Sequence, residues 1–217
     1  LFTSTKYGDW RKKSNVNAIK KQPNLTIFTR ENKSYKIARN LFHPEKVQLC
    51  PDIVLSLLPS IRENKDSIKR SGIIVTLRSD IEKSLSERDR ELIIQSLIQS
   101  GNKLQYLDTD KGDSRVVSIG IGLKKVKNFL NKYSASELVV TDRLHGMIFA
   151  TITGTPCIVL SNSNHKIEGT YKDWLKDCNY IKFIGDFSID KFNEQKSILL
   201  DKSFKSNYGS VELSFQN

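Results

Sequence analysis

The chain has 217 residues, of which 38% are hydrophobic and 27% are charged, and its formal net charge is +11 at pH 7. This composition predicts one or two globular domains with a substantial core, and it argues against disordered and fibrous classes. No apolar run approaches the roughly 20 residues that a membrane-spanning helix needs. The N-terminus also lacks the pattern of a secretory signal. We therefore expect a cytoplasmic protein.

The positive charge predicts an anionic partner, which could be a nucleic acid, a phosphorylated metabolite or a membrane surface. The lysines are spread through turns and amphipathic helices and do not cluster with stacking aromatic residues. This distribution argues against nucleic acid. Peripheral contact with an anionic membrane, at its inner face, remains compatible with the charge.

The chain has three cysteines, Cys50, Cys157 and Cys178, with no CxxC or Cys/His ligand spacing. An odd number without such spacing predicts buried, reduced thiols, not a disulfide framework or a zinc site. No Asp, Glu or His cluster has ligand spacing either. We expect no metal ion.

The elements are predicted in chain order. Residues 1–3 resemble the end of a strand, and residues 6–24 are polar and poorly patterned, so we expect the sequence to be a fragment of something longer. Strands are then predicted at residues 25–30, 47–50, 72–78, 103–107, 138–141, 157–160 and 181–184. Helices are predicted at residues 31–42, from the Ser86 capping box to Gly101, and at 121–133, 143–153, 171–176 and 189 to about 204.

Alternating strands and helices of these lengths imply right-handed crossovers and a parallel sheet with helices on both faces. The predicted class is therefore a Rossmann-like α/β fold. A charged connector without periodicity separates the first two strands from the others. We place a domain boundary in this connector, which gives domains of residues 1–62 and 63–217.

Polar residues follow three of the predicted strands: Arg30, Arg78 and the segment from Asp142 to His145. Ligands of open parallel sheets bind beyond the carboxyl ends of the strands. An arginine there can bind a phosphate or carboxylate through two parallel hydrogen bonds. A single arginine can equally be a solvated charge near a helix end, but three at three strand ends favour anion binding.

His145 lies near the third position of its predicted helix. The imidazole is either part of the core, with its hydrogen-bonding groups paired, or a general acid or base with a pKa close to working pH. Gly146 lets another backbone or a ligand approach closely. Asp142 is expected to cap the helix by accepting hydrogen bonds from its first N–H groups.

The polar segment from Ser161 to Lys166 follows the next predicted strand. Asn164, His165 and Lys166 could contribute hydrogen-bond donors and a further positive charge to the same cleft. The alternative for His165 and Lys166 is an ordinary surface position.

Several segments together resemble the polysaccharide pyruvyl transferase family. The resemblance to its C-terminal signature is carried by residues 141–150, 154–160 and 164–171, together with Trp174. Upstream, residues 29–31 with Ser34 and Tyr35, residues 50–55 and residues 75–78 are similar to the family's earlier motifs. The resemblance covers most of residues 25–176.

The resemblance implies two Rossmann-like domains that face each other across a cleft, as in GT-B glycosyltransferases. It also implies transfer of the enolpyruvyl group of phosphoenolpyruvate onto saccharide hydroxyls as a pyruvate ketal, in exopolysaccharide or cell-surface polysaccharide biosynthesis. No cofactor is implied. Family members are typically longer, so we expect the first domain to be incomplete at its N-terminal side.

The resemblance also suggests roles for the candidate residues. Arg143, Lys166 and Arg30 would bind phosphoenolpyruvate, with Arg78, Asn164 and His165 as further binding residues. His145 would act as the general acid or the general base, and the sequence does not decide which. The implied acceptor is a lipid-linked or polymeric saccharide.

Two alternatives remain open at this point. A GT-B-type glycosyltransferase that uses a nucleotide-sugar donor would share the fold. Glu168 is the nearby candidate for binding the ribose of that donor. A non-catalytic phosphate- or carbohydrate-binding module would need no proton-transfer group.

Overall fold

The computed structural model describes residues 13–58, 69–80, 83–107 and 119–208. It divides the chain into two compact units, residues 1–52 and residues 53–217. The domain boundary predicted after residue 62 and the strand end predicted at residues 1–3 lie outside the described residues.

The first unit contains a small parallel sheet with two helices. Its elements are α1 (Lys13–Lys20), β1 (Ile27–Thr29), α2 (Asn32–Leu41), a 3-10 turn (Pro44–Lys46) and β2 (Val47–Leu49). β1 and β2 are parallel, with Ile27 opposite Val47. The α1 helix lies within residues 6–24, the poorly patterned segment for which the sequence predicted no element. It is stabilised by packing, because its Val16 is buried in the core with Ile27 and Phe42.

The second unit contains a five-stranded parallel sheet with the order β4-β3-β5-β6-β7. Its strands are β3 (Ile73–Thr76), β4 (Leu104–Tyr106), β5 (Leu138–Thr141), β6 (Cys157–Leu160) and β7 (Ile181–Ile184). Its helices are α3 (Glu87–Gln99), α4 (Ile119–Ser134), α5 (Leu144–Thr153), α6 (Lys166–Thr170) and α7 (Ile189–Leu200). A 3-10 turn covers Ile53–Leu57, and a π-helical turn covers Tyr171–Leu175.

Every residue of β3, β5 and β6 is buried, as expected for strands covered on both faces. Alternate side chains of a strand point to opposite faces of the sheet. Val139 accordingly belongs to the core on the face covered by α4 and α5, whereas Leu138 and Val140 belong to the core on the face covered by α3 and α7. The predicted α/β class with helices on both faces is confirmed.

The helix boundaries follow local signals where those signals exist. Ser86 caps α3, since its hydroxyl oxygen accepts a hydrogen bond from the Asp89 N–H at 3.0 Å. Gly101 (φ +75°) and Gly154 (φ +59°) have the left-handed conformation that commonly follows a helix. The helix predicted at residues 171–176 instead begins at Lys166, and the last helix ends at Leu200.

Among the described residues, no helix has the length and apolarity needed to cross a bilayer. Cys50, Cys157 and Cys178 are all thiols; Cys157 and Cys178 are buried and Cys50 is half-buried. Burial raises the pKa of the Cys178 thiol to about 12, so this thiol is unreactive at neutral pH.

Candidate functional site

The carboxyl ends of β3 and β5 form the topological switch point of the larger sheet. After β3 the chain crosses to β4 on one side, and then returns to β5 on the other side of β3. Such a change of direction opens a crevice beyond the strand ends, where ligands of open α/β sheets bind. Residues 77–80 follow β3 and residues 142–145 follow β5, so both segments lie at this crevice.

Side-chain hydrogen bonds join the ends of these two strands. The Thr141 hydroxyl donates to the carbonyl oxygen of Thr76 at 3.0 Å and accepts from the Arg143 N–H at 3.0 Å. The Asp142 carboxylate accepts from the Arg78 N–H at 2.7 Å. These bonds fix the segment after β3 against the turn between β5 and α5.

The expectation that Asp142 caps α5 is wrong. The N-cap residue is Arg143, and its side chain makes no capping hydrogen bond. Asp142 is fully buried, so its carboxylate satisfies a backbone N–H of the neighbouring segment instead of the helix terminus.

Asp142 is an unusually placed acid. Within the described parts of the chain, its second carboxylate oxygen is buried and has no hydrogen-bond partner. Burial raises the pKa of this carboxyl group, and the Arg78 N–H together with the guanidinium groups of Arg90, Arg78 and Arg143 opposes that rise. The crevice therefore combines several cations with a buried acid.

The structure brings two of the predicted arginines together, and they converge on Asp80. Nε and Nη2 of Arg78 donate to the two carboxylate oxygens of Asp80 at 2.8 and 2.9 Å. Nη1 of Arg143 lies 3.7 Å from Oδ2 of the same carboxylate. The Arg143 and Arg78 side chains are only 8% and 15% exposed, whereas Asp80 is 39% exposed. Sequence reasoning missed Asp80, because nothing in the sequence shows that its carboxylate folds back onto both arginines.

Arg30 belongs to the first unit and has a partner there. Its Nη1 donates to Oδ2 of Asp52 at 2.6 Å, and the two side chains are 18% and 4% exposed. This ion pair links the end of β1 to the segment after β2. A donor-binding role for Arg30 remains a prediction.

His145 is exposed in the first turn of α5. It is therefore not a core histidine, and the ring is accessible to solvent. The centroid of its ring lies 6.1 Å from that of Phe149, one turn further along the helix. Phe149 packs in turn edge-to-face against Tyr133 at 5.8 Å. The imidazole therefore lies beside Phe149, which is itself packed against Tyr133.

Gly146 is required for the close approach of α5 to β5. A Cβ atom at this position would lie 2.3 Å from Oγ1 of Thr141, well inside van der Waals contact. The glycine thus serves helix packing, one of the two possibilities that the sequence left open.

The loop after β6 is built from successive asparagine turns. The buried Asn162 donates from its side chain to the carbonyl oxygen of Asp142 at 3.4 Å and accepts from the Asn164 N–H at 3.2 Å. Asn164 in turn accepts from the N–H of Lys166, the first residue of α6, at 3.1 Å. Asn164, His165 and Lys166 are all half-buried. Sequence reasoning did not single out Asn162, although its spacing from Asn164 is the signal of such a turn.

The same loop is tied to the segment that precedes α3. The Ser84 hydroxyl donates to the carbonyl oxygen of Ser161 at 2.8 Å. The segments that follow β3, β5 and β6 are therefore connected through side-chain hydrogen bonds. Within the described ranges, no group of three His, Cys, Asp or Glu residues is arranged to hold a metal ion.

Residues 7–164 match the model of one protein family, described as polysaccharide pyruvyl transferase. The chain belongs to the polysaccharide pyruvyl transferase family. The match includes the crevice residues that follow β3 and β5 and the loop after β6 as far as Asn164, but not His165 and Lys166.

Two relatives match most of the chain. General stress protein 30 of Bacillus subtilis (strain 168) is 32% identical over 216 residues, which cover 98% of this chain and 59% of that protein. Pyruvyl transferase 1 of Schizosaccharomyces pombe is 29% identical over 182 residues, which cover 78% of this chain and 44% of that protein. The chain thus spans about half the length of these relatives.

A solved structure shows the same fold at low sequence identity. UDP-GlcNAc 2-epimerase of Methanocaldococcus jannaschii, in complex with UDP-GlcNAc and UDP, superposes with a TM-score of 0.52 at 15% identity. The match covers 88% of this chain and 59% of the epimerase. At this identity the likeness is one of fold alone, and it confirms the Rossmann-like, GT-B-like class predicted from the sequence.

Proposed function

We propose that the protein containing this chain transfers the enolpyruvyl group of phosphoenolpyruvate onto two hydroxyl groups of a saccharide, in exopolysaccharide or cell-surface polysaccharide biosynthesis. Family membership supports a pyruvyl transferase. The observation that carries the donor assignment is the sequence of an exposed His145 two residues after the buried Arg143 at the end of β5, with Arg78 and Arg143 converging on Asp80. The product would be a cyclic pyruvate ketal.

The donor's charges suit this crevice. Phosphoenolpyruvate carries a carboxylate and a phosphate on a three-carbon frame, and binding it requires several oriented cations. Arg143 and Arg78 converge at the switch point, and α5 begins next to them with N–H groups that favour an anion. Lys166, Asn164 and His165 would contribute from the loop after β6.

Ketal formation needs one proton to be delivered and two to be removed. The methylene carbon of the donor takes up a proton, and a saccharide hydroxyl attacks the resulting cationic carbon and loses its own proton. A second hydroxyl then attacks the same carbon as the bond to phosphate breaks, and inorganic phosphate leaves. His145 is the residue we assign to proton transfer, as the acid or as the base, because its ring is exposed and it follows Arg143 by two residues, in the first turn of α5.

A lipid-linked or polymeric saccharide is the acceptor we propose. Such an acceptor would be used at the inner face of a membrane, and the net charge of +11 favours peripheral contact with anionic lipid there.

The test uses the full-length protein, because this chain spans about half the length of its relatives. Consumption of phosphoenolpyruvate and release of phosphate are measured with a panel of lipid-linked and nitrophenyl saccharides. His145→Ala is expected to lower turnover by about 10²- to 10⁴-fold without a change in melting temperature, because the ring is exposed. His43→Ala is the matched control, since His43 is an exposed histidine whose nearby partner is Glu45 in the first unit. Turnover of His145→Ala within a few-fold of native would contradict the assignment.

Thermal stabilisation by ligands distinguishes the donor classes. Phosphoenolpyruvate is expected to raise the melting temperature, because a ligand that binds only the folded state stabilises it. Stabilisation by UDP and not by phosphoenolpyruvate would favour a glycosyltransferase that uses a nucleotide sugar. Glu168, the candidate ribose ligand for that class, accepts a hydrogen bond from Nζ of Lys172 at 2.5 Å.

A further inference from the structure

Asp80 lies where an anionic ligand of the two arginines would be expected. Its carboxylate receives two parallel hydrogen bonds from Arg78, and it is also within ion-pair distance of Arg143. We infer that Asp80 is a resident anion, which occupies the position of an anionic group of the donor between Arg78 and Arg143 and is displaced when that group binds. This inference rests on the proposed function for the identity of the donor, but not for its test.

The geometry favours displacement of the Asp80 carboxylate by a bound anion over a permanent ion pair. The Asp80 carboxylate fits one edge of the Arg78 guanidinium well, at 2.8 and 2.9 Å, but it is 3.7 Å from Arg143, too far for a hydrogen bond. A phosphate group has three oxygens that can accept hydrogen bonds from two guanidinium groups at once. It can therefore satisfy both arginines more completely than one carboxylate does.

The exposure of the three side chains indicates that Asp80 is the one that can move away from the cluster. The Asp80 side chain is 39% exposed, whereas the Arg78 and Arg143 side chains are 15% and 8% exposed. Asp80 also lies in the segment after β3, outside helices and strands. Rotation of its side chain into water exchanges the arginine contacts for hydration, and partly exposed ion pairs contribute little to stability.

Asp142 and Arg90 also lie at the crevice, and both are held in place. Asp142 faces the same arginines, but it is fully buried and accepts the Arg78 N–H at 2.7 Å. Arg90 donates from Nη1 to the backbone carbonyl oxygen of Arg78 and is held there. Among the described residues that contact Arg78 and Arg143, Asp80 is thus the solvent-facing carboxylate, and its departure opens the anion site.

The test compares the affinity for inorganic phosphate of native full-length protein and of Asp80→Asn, by calorimetric titration at constant ionic strength. Removal of the competing carboxylate is expected to lower the Kd for phosphate by about fivefold, which corresponds to roughly 1 kcal/mol. Asp80→Ala is the second variant, because an asparagine amide can still accept one hydrogen bond from Arg78. Asp190→Asn is the matched control: it makes the same change in charge at an exposed position in the first turn of α7 and is expected to leave the Kd unchanged.

A second measurement keeps the inference testable if the variant is less stable. Without Asp80 the two guanidinium groups lose one competing carboxylate, so added phosphate is expected to raise the melting temperature of the Asp80 variants more than that of native protein. Weaker or unchanged phosphate binding in both Asp80 variants would overturn the inference, since Asp80 would then hold the arginines in position for the ligand.

The two proposals fail in different ways. If the variants bind phosphate more tightly but no saccharide accepts an enolpyruvyl group, the proposed function fails and the resident anion stands. If native protein turns over phosphoenolpyruvate but phosphate binding is not tightened, the resident anion fails alone.

Discussion

Replacement of Gly146 by alanine should damage the strand-to-helix turn on which the crevice is built. The added Cβ would lie 2.3 Å from Oγ1, 3.0 Å from Cβ and 3.2 Å from Cγ2 of Thr141. Thr141 cannot turn away without cost, because its hydroxyl donates to the Thr76 carbonyl and accepts from the Arg143 N–H. Accommodation of the Cβ therefore breaks those two hydrogen bonds and also strains the packing of α5 on β5.

The size of the effect can be worked from these contacts. Overpacking of a well-packed site costs about 1–3 kcal/mol, and each lost hydrogen bond costs about 0.5–1.5 kcal/mol. Alanine in place of glycine inside a helix returns about 1 kcal/mol. The free energy of unfolding should therefore fall by about 3 kcal/mol, with a range of about 1–5 kcal/mol.

Urea unfolding followed by circular dichroism measures this change, with Gly120→Ala as the control. No described atom lies within 4 Å of a Cβ built on Gly120, which is also in a helix, so this variant should be unchanged or up to about 1 kcal/mol more stable. The double variant Thr141→Ala/Gly146→Ala should be more stable than the two single effects predict, because the main clash is removed. Equal stability of Gly146→Ala and native protein, or strict additivity in the double variant, would refute the reasoning.

Three further substitutions test other contacts. Asp142→Asn should raise the free energy of unfolding near neutral pH, because it removes a carboxylate whose pKa is raised by burial and leaves an oxygen for the Arg78 N–H. A raised folded-state pKa gives stability that is present at low pH and lost as the pH rises through that pKa. The difference in free energy of unfolding between Asp142→Asn and native protein should therefore shrink as the pH falls from 7 to about 4. A constant difference in urea titrations across this range would contradict the account. Arg70→Ala should cost about 2–4 kcal/mol in urea unfolding, because Arg70 donates to three backbone carbonyls at the ends of α4 and α5; a loss below about 1 kcal/mol would contradict it. Ser86→Ala should lower the free energy of unfolding by about 1 kcal/mol through loss of the α3 cap, and an unchanged urea midpoint would show that the cap does not matter.

The centre of the sheet was predictable because β3, β5 and β6 are buried on both faces. β5, β6 and β7 have the predicted bounds, since each is a short, mainly apolar run bounded by polar or turn residues. The α1 helix was missed for the opposite reason. Its sequence, KSNVNAIK, has few apolar residues and no capping signal, and packing of Val16 against the first unit's core stabilises it.

The site was predictable to the extent that parallel strands end at one edge. Arg78 and Arg143 come together because β3 and β5 are adjacent, and alternation of elements is enough to predict that edge. The role of Asp142 was not predictable, since a residue of this type before a helix usually caps it. A tertiary hydrogen bond to the Arg78 N–H replaced the local one. Asp80 was missed because its position depends on how the segment after β3 folds.

In the proposed function, the turn between β5 and α5 would serve both donor binding and proton transfer. Arg143 has an extended backbone (φ −110°, ψ 134°) and a buried side chain, whereas His145, two residues later in the first turn of α5, is exposed. Their opposite environments follow from the change from strand to helix geometry between them, which Gly146 makes possible by its contact with Thr141. A change in this turn should therefore impair binding and chemistry together, whereas a change in the imidazole should impair chemistry alone. Gly146→Ala is accordingly expected to raise KM for phosphoenolpyruvate and lower kcat, while His145→Ala lowers kcat with little change in KM. The reverse pattern in steady-state kinetics would mean that His145 acts chiefly in donor binding.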